Sequence, residues 1–143
     1  MSKVTAHFSW SEFKCKDGTE VPEEYKPRIE TLCVQLEQLR EHFGGSPIRI
    51  ISGYRTLPYN KKCGGTQPEL KNGKPVQGTG SQHLYGRAVD IAVMDIDPEI
   101  VAGVCMDWQE SGKWIMGGVG HYPDHGHGFV HIDTRGRRAR WTG

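Results

Sequence analysis

Apolar residues spaced three and four positions apart predict a long helix in the first third of the chain. Within residues 22–43 the apolar positions are Ile29, Leu32, Cys33, Leu36, Leu39 and Phe43. This spacing places them on one face of a helix, which can then pack against a core. Gly44 and Gly45 follow at once, and paired glycines favour the end of a helix.

A second helix is predicted from its start signal. Asp97 is a residue type that caps helix N-termini, and Pro98 suits the first helical position, where a backbone N–H is not needed. The apolar positions that follow are Ile100, Val101, Val104, Cys105 and Trp108. Gly112 is expected to close this helix.

Four apolar or alternating segments predict β-strands. They are residues 47–52, 87–94, 114–122 and 129–134. The short connection between the last two predicts an antiparallel hairpin. Because helices and strands lack the regular alternation of a parallel sheet, we expect an α+β fold, with a small antiparallel sheet and flanking helices in a single domain, residues 1–143.

The segment 53–82 shows no periodicity and is rich in glycine and proline. Irregular segments of this length are uncommon inside a compact domain, and many of them carry function. We therefore predict a functional loop that ends next to His83.

Charge and hydropathy exclude several classes of protein. Lys and Arg total 18 against 17 Asp and Glu, a net charge of +1. Nucleic-acid-binding domains usually carry a basic excess, so no nucleic-acid partner is expected. No apolar run is long enough to span a membrane. The protein is expected to be a monomer. The basic cluster Arg135, Arg137, Arg138 and Arg140 is interpreted as a solvated tail.

Cellular location and disulfide state stay open at this point. Residues 1–12 lack the apolar stretch of a secretory signal, which fits a cytoplasmic protein or one released by cell lysis. None of the four cysteines forms a CxxC pair. Cys33 and Cys105 occupy apolar helix positions and are expected to be buried, whereas Cys15 and Cys63 fall in predicted loops.

An aspartate interrupts the predicted strand 87–94. Alternation places Asp90 on the same face as Ala88 and Ala92. A buried carboxylate between alanines is costly unless it is paired, hydrogen-bonded or bound to a metal. The small neighbours leave room for such a partner, although an ion pair with Arg87 would also satisfy it.

The predicted strand 129–134 carries a second polar face. Alternation places His131 and Asp133 together, away from Val130 and Ile132. Taken together, His83, Asp90 and His131 make up a common ligand set for catalytic zinc, with the fourth position left for water. The alternative is a metal-free domain in which these groups satisfy one another.

The block Ser81-Gln-His-Leu-Tyr-Gly-Arg-Ala-Val-Asp90, followed by the strand histidine His131, resembles the zinc D-alanyl-D-alanine peptidases, which are M15-like. Ser52-Gly-Tyr-Arg55, Phe8-Ser-Trp-Ser-Glu-Phe13 and Arg140-Trp141 also resemble elements of this family. The family includes carboxypeptidases, dipeptidases and phage endolysins that act on peptidoglycan peptides. It shares its fold with the hedgehog signalling domain.

The resemblance implies roles for individual residues. His83, Asp90 and His131 would bind one Zn²⁺, and a peptidoglycan stem or cross-link peptide would be the substrate. Arg55 would stabilise the oxyanion or bind a substrate carboxylate, because its planar guanidinium suits either task. Ser81 would shape the ligand loop and contact the substrate. A terminal carboxylate bound by Arg55 would imply a carboxypeptidase, and otherwise an endopeptidase is open.

One position departs from the family pattern. Many members carry an acidic general base three residues before the last zinc histidine, where this chain has Gly128. Asp133 is the first candidate to replace it, although Asp133 could equally orient His131. His127 and His125 are the next candidates, followed by His121 and Asp124. The missing acid also leaves open a hedgehog-like binding module in which zinc is structural and no hydrolysis occurs.

Overall fold

The computed structural model describes residues 2–143, which form a mixed α+β fold. The α-helices are α1 (Lys26–His42), α2 (Leu57–Lys62) and α3 (Pro98–Glu110). The strands are β1 (Lys3–Thr5), β2 (Phe8–Ser9), β3 (Ile48–Ser52), β4 (Leu70–Lys71), β5 (Lys74–Pro75), β6 (Ala88–Val93), β7 (Gly118–Tyr122), β8 (Phe129–Asp133) and β9 (Ala139–Thr142). Short 3-10 turns cover Trp10–Glu12, Glu23–Tyr25 and Gln82–Tyr85.

The central sheet has the strand order β3-β6-β8-β7-β9. Its first four strands pair antiparallel, as the sequence predicts, and β7 with β8 forms the expected hairpin. The outer strand β9 was not predicted, and it pairs parallel with β7, so the sheet is mixed. The prediction of an α+β fold is confirmed.

The apolar face of the sheet packs against α1 and α3. Their inward residues, among them Ile29, Leu36 and Val101, share one buried cluster with Ile91 and Ile132 of the sheet. Both helices lie where the apolar spacing predicted them. The start of α3 is fixed as expected, since Asp97 Oδ1 accepts a hydrogen bond from the Glu99 backbone N–H at 2.8 Å.

The segment 53–82 contains more structure than predicted. It holds α2 and the β4–β5 hairpin, which are too short to show apolar periodicity. Thr56 caps α2 by accepting a hydrogen bond from the Tyr59 N–H. The Tyr85 hydroxyl donates to the carbonyl oxygens of Val76 and Thr79, which ties the end of the segment to the domain.

All four cysteines are free thiols. Cys33 and Cys105 are buried in helices, as predicted, and Cys15 is buried as well, whereas Cys63 is exposed. None of the helices within residues 2–143 has the length and apolar character needed to cross a membrane.

Candidate metal centre

The register of the sheet brings Asp90 and His131 face to face. Asp90 on β6 is the cross-strand partner of His131 on β8, and Ala88 is the partner of Asp133. Directly paired side chains on one face lie close enough to interact. The two strand positions selected by alternation therefore meet on the sheet face opposite the helices.

His83 reaches the same place from the 3-10 turn Gln82–Tyr85. The Ser81 hydroxyl caps this turn by accepting a hydrogen bond from the His83 N–H, and Gly86 ends it with φ +68. A Cβ at Gly86 would lie 2.8 Å from the Cβ of Tyr25, so only glycine fits both the conformation and the space. The turn places His83 on the short segment that leads into β6.

Hydrogen bonds determine which nitrogen of each histidine is free. His83 Nδ1 lies 2.7 Å from the carbonyl oxygen of Gly53, which can only accept, so Nδ1 carries the proton. His131 Nε2 lies 2.7 Å from Asp133 Oδ2, so Nε2 donates there. The lone pairs of His83 Nε2 and His131 Nδ1 are left to face Asp90 Oδ1, at 3.2 and 3.0 Å.

Three electron-pair donors converge on one point, an arrangement that could hold a metal ion. One ligand atom from each of His83, Asp90 and His131 lies within 4.8 Å of the others, and all three residues are buried. Ligands bound tetrahedrally to zinc at 2.0–2.1 Å are separated by about 3.3 Å, close to the distances observed. The donor types and their spacing therefore fit a zinc ion with an open fourth position.

Arg55 holds the other oxygen of Asp90. Arg55 Nη2 donates to Asp90 Oδ2 at 3.1 Å, while its Nε donates to Ser52 Oγ and its Nη1 to Asn60 Oδ1. These three bonds leave two guanidinium N–H groups of Arg55 without a partner among residues 2–143. Asp90 thus presents Oδ1 to the imidazoles in a fixed orientation.

The ionisation of the cluster follows from these contacts. Burial lowers the pKa of His83, against the opposing pull of Asp90. Burial also disfavours a charged His131, but its hydrogen bonds to Asp133 and Asp90 outweigh this and raise its pKa. Burial would raise the pKa of Asp90, yet both histidines hold it well below its usual range. The lowered pKa values of Asp90 and His83 favour a carboxylate and a neutral imidazole, which are the forms that bind a metal ion.

Asp133 is completely occupied by protein partners. Its side chain is 0 % exposed. Its Oδ1 accepts from the Gly118 N–H at 2.8 Å and from Arg135 Nε at 2.9 Å, and its Oδ2 accepts from Arg135 Nη2 and His131 Nε2. Of the two roles that the sequence left open, this geometry favours orienting His131 over accepting a proton from water.

We expect Asp133→Asn to weaken zinc binding by about 10- to 100-fold, because the neutral amide holds the His131 tautomer and ring less firmly. Competition with a chromophoric chelator measures the dissociation constant. Glu110→Gln is the matched control, since Glu110 is a half-exposed carboxylate that pairs with Arg138 and Arg140 elsewhere. An unchanged dissociation constant in Asp133→Asn contradicts the orienting role.

A cleft of about 910 Å³ opens over the candidate metal centre formed by His83, Asp90 and His131. It is lined by Arg55, residues 63–66 and 78–83, Asp90, Tyr122, His125, Phe129, His131, Arg135, Arg137 and Trp141. The glycine-rich end of the segment 53–82 forms part of one side, as predicted for a functional loop. Asp133 is not among these lining residues.

Aromatic rings form another side of the cleft. Tyr122 and Phe129 stack with their ring centroids 4.5 Å apart, and His125 packs edge-on against both. Trp141 lies with its ring 5.1 Å from that of His131 and donates a hydrogen bond to the Tyr122 hydroxyl at 2.7 Å. The cleft therefore has an apolar side as well as a charged floor.

The loop between β7 and β8 carries His125 and His127, two of the residues that the sequence offered as proton acceptors, and it separates them. His125 lines the cleft, whereas His127 lines a different groove beside Pro98. Gly128 has φ +84, and a Cβ there would lie 2.9 Å from Pro98 Cγ. The backbone that turns His125 toward the cleft thus leaves no space for the acidic side chain expected at position 128.

Some residues of this region were misjudged or missed. Arg135 and Arg140 are not a solvated tail, because Arg135 pairs with Asp133 and Arg140 with Glu110. Trp141 and Tyr122 were not proposed for the site, since β9 carries no sequence signal that places it beside His131. Trp141 packs closely on Gly120, where a Cβ would collide with the indole. This contact joins distant parts of the chain, so no local sequence pattern predicts it.

Comparison with known proteins agrees with this geometry. A sequence profile described as Peptidase M15 matches residues 6–133, which include His83, Asp90 and His131. No curated protein matches the chain. M15 peptidases are zinc-dependent, and the buried cluster of two histidines and one aspartate could hold such an ion. Because the match spans most of the chain, the resemblance noted in the sequence is confirmed: this chain belongs to the Peptidase M15 family.

Proposed function

We propose that this protein is a zinc-dependent hydrolase of peptide bonds in peptidoglycan stem or cross-link peptides. The observation that carries the proposal is the convergence of His83 Nε2, Asp90 Oδ1 and His131 Nδ1 at the floor of an open cleft. Family membership supports a peptidase and a peptide substrate. A cleft of about 910 Å³ has room for several residues of a peptide.

Zinc bound at this centre would lower the pKa of a water molecule and polarise the carbonyl of the scissile bond. Arg55 lines the cleft beside Asp90 and has two uncommitted N–H groups, which suit it to stabilise negative charge on the carbonyl oxygen. Arg55 is held by Ser52, Asn60 and Asp90, so it need not reorganise during the reaction.

His125 is the residue we assign to proton transfer. Asp133 is fully buried and does not line the cleft, and His127 lines another groove. His125 instead packs on Phe129, which lies two positions from His131 on the same face of β8. Imidazole exchanges protons near neutral pH, which suits a group that takes a proton from water and returns it to the leaving amine. Ser81 lines the cleft and caps the His83 turn, so we keep it as a substrate contact.

Comparison of His125→Ala with His127→Ala tests the assignment within a single loop. We expect His125→Ala to reduce kcat by about 100-fold with its zinc content unchanged, because it removes the proton acceptor but no ligand. His127→Ala is expected to retain activity within about twofold. The measurement is kcat on a peptide substrate with zinc determined by mass spectrometry. Equal losses in the two variants, or a loss in His127→Ala alone, contradict the assignment.

The nature of the cleft supports a peptidoglycan peptide. Its lining carries three arginines, Arg55, Arg135 and Arg137, against one carboxylate, Asp90. Free carboxylates of a peptide substrate would complement this charge, so the cleft favours such peptides over basic ones. The stacked rings of Tyr122 and Phe129 offer an apolar surface for their aliphatic portions.

The decisive experiment is the digestion of purified peptidoglycan, followed by mass spectrometry of the released muropeptides. Wild-type protein loaded with zinc is expected to give new fragments, and His131→Ala is expected to give none. The fragment masses identify the bond and separate carboxypeptidase from endopeptidase activity. Identical muropeptide profiles for the two proteins contradict hydrolysis of peptidoglycan.

A binding module without hydrolysis is the second candidate. The observation in its favour is that no carboxylate outside the metal cluster lines the cleft within residues 2–143. In that case zinc would be structural, and His125 would be only a surface residue. This second candidate is supported if the protein sediments with peptidoglycan and the digest releases no new fragments.

A further inference from the structure

Three arginines line the cleft, and they differ in what they contact. Arg55 is paired with Asp90, and Arg135 is paired with the buried Asp133. Arg137 is exposed, and within residues 2–143 it forms neither an ion pair nor a side-chain hydrogen bond. Of the cleft arginines, Arg137 therefore has its whole guanidinium available to a ligand.

The backbone holds Arg137 at the edge of the cleft. Gly136 has φ +91 and forms a turn, and its N–H donates to the carbonyl oxygen of Met116 at 2.9 Å. The Ala139 N–H donates to the carbonyl oxygen of Gly117 on the other side of this turn. The backbone around position 137 is thus tied to the segment before β7, while the Arg137 side chain is exposed.

The neighbouring Arg138 does not share the surroundings of Arg137. Arg138 is 66 % exposed and donates from Nε to Glu110 at 2.6 Å, and it is not among the residues lining the cleft. Two consecutive arginines thus have different surroundings. One is satisfied by a protein carboxylate, and the other faces the cleft without one.

The charge of the cleft shows what Arg137 would bind. Arg55 is neutralised by Asp90 and Arg135 by Asp133, so Arg137 is an unbalanced positive charge even before a cation is bound. The planar guanidinium matches a carboxylate with two parallel hydrogen bonds. Arg55, by contrast, is fixed at the floor, where the reacting carbonyl must lie.

We propose that Arg137 is a specificity-determining residue that binds a free carboxylate of the peptide substrate, while Arg55 serves the reacting carbonyl. This inference rests on the proposed peptidase function. The carboxylate can be the C-terminal one or the α-carboxylate of a γ-linked glutamate, and both present the same chemistry to the guanidinium. The exposed position predicts an effect on substrate binding rather than on the chemical step.

The experiment uses the zinc-loaded protein and the peptide L-Ala-γ-D-Glu-L-Lys-D-Ala-D-Ala. One comparison peptide has its C-terminus amidated, and another has γ-D-Glu replaced by its α-amide. Arg137→Gln removes the charge at similar length, and Arg138→Gln is the matched control. Calorimetry gives the dissociation constant of each peptide, and an amine-release assay gives kcat and KM.

We expect Arg137→Gln to weaken binding of the parent peptide by about tenfold, with kcat within about twofold. One of the two amidated peptides lacks the carboxylate that Arg137 recognises. The wild type and Arg137→Gln should bind that peptide equally, and this result identifies the recognised carboxylate. Arg138→Gln should bind all three peptides as the wild type does. An equal effect of Arg137→Gln on all three peptides, or none on any, overturns the inference.

The two proposals fail in different ways. If the wild type binds the parent peptide more tightly than an amidated one through Arg137 but releases no amine, the inference stands and hydrolysis of this peptide is wrong. If the wild type and Arg137→Gln cleave all three peptides with equal KM, hydrolysis stands and the inference is wrong. Absence of binding to every peptide overturns the inference as well.

Discussion

Asp90→Asn is expected to weaken zinc binding by more than about 100-fold and to reduce peptidase activity to the level of metal-free protein. Even a group that only orients a ligand contributes roughly 10- to 100-fold, and Asp90 is itself one of the three ligands. The amide has the shape of the carboxylate but not the negative charge that faces His83 Nε2, His131 Nδ1 and Arg55.

The same substitution also tests the fold, because it removes one partner of a buried ion pair. Arg55 keeps Ser52 and Asn60, but the lost pair with Asp90 is expected to lower the free energy of unfolding by about 3–5 kcal/mol in the metal-free protein. Metal content, activity and chemical denaturation are therefore measured on one preparation. Asp107→Asn, at an exposed position on α3, is the control. Stoichiometric zinc in folded Asp90→Asn contradicts the proposed ligand set.

Arg55→Lys is expected to reduce kcat by about 100- to 1000-fold while KM changes little. The guanidinium bonds to Ser52, Asn60 and Asp90 through three different nitrogens and still has N–H groups to spare. An ammonium has a single nitrogen and cannot hold this geometry. The size of the effect is that of losing one hydrogen-bond donor to a developing oxyanion.

The division between kcat and KM distinguishes the two roles that the sequence left open for Arg55. A large loss in kcat with zinc retained supports stabilisation of the carbonyl oxygen. A rise in KM with unchanged kcat means that Arg55 binds a substrate carboxylate instead, and it contradicts the division of roles proposed for Arg55 and Arg137. Arg138→Lys, outside the cleft, is the matched control and should leave both constants unchanged.

Local sequence patterns predicted the elements that carry the metal centre. The alternation of side chains assigned Asp90 to one face of β6 and His131 to one face of β8. This assignment needs no knowledge of strand pairing, because the side chains of any strand alternate between its two faces. The antiparallel register then made them cross-strand partners. The helices were equally predictable, since both show the apolar spacing of a face that packs on a core.

Short and irregular elements escaped the same reasoning. α2 and the β4–β5 hairpin lie in a segment whose glycines and prolines indicated only a loop. β9 does not pair with β8, the strand that precedes it in sequence. Its partner is β7, which lies one strand earlier in the chain. Such pairing depends on contacts between distant segments, and no local pattern records them.

The sequence by itself predicted the candidate ligand residues, the family and the main secondary structure, because these depend on residue types and on periodicities within single elements. Only the tertiary structure decided which nitrogen of His83 and His131 faces Asp90, since Gly53 and Asp133 fix the tautomers. It likewise turned His125 toward the cleft, and it left Arg137 without a partner next to a paired Arg138. These features depend on which groups meet across the fold, and that is set by packing between distant parts of the chain.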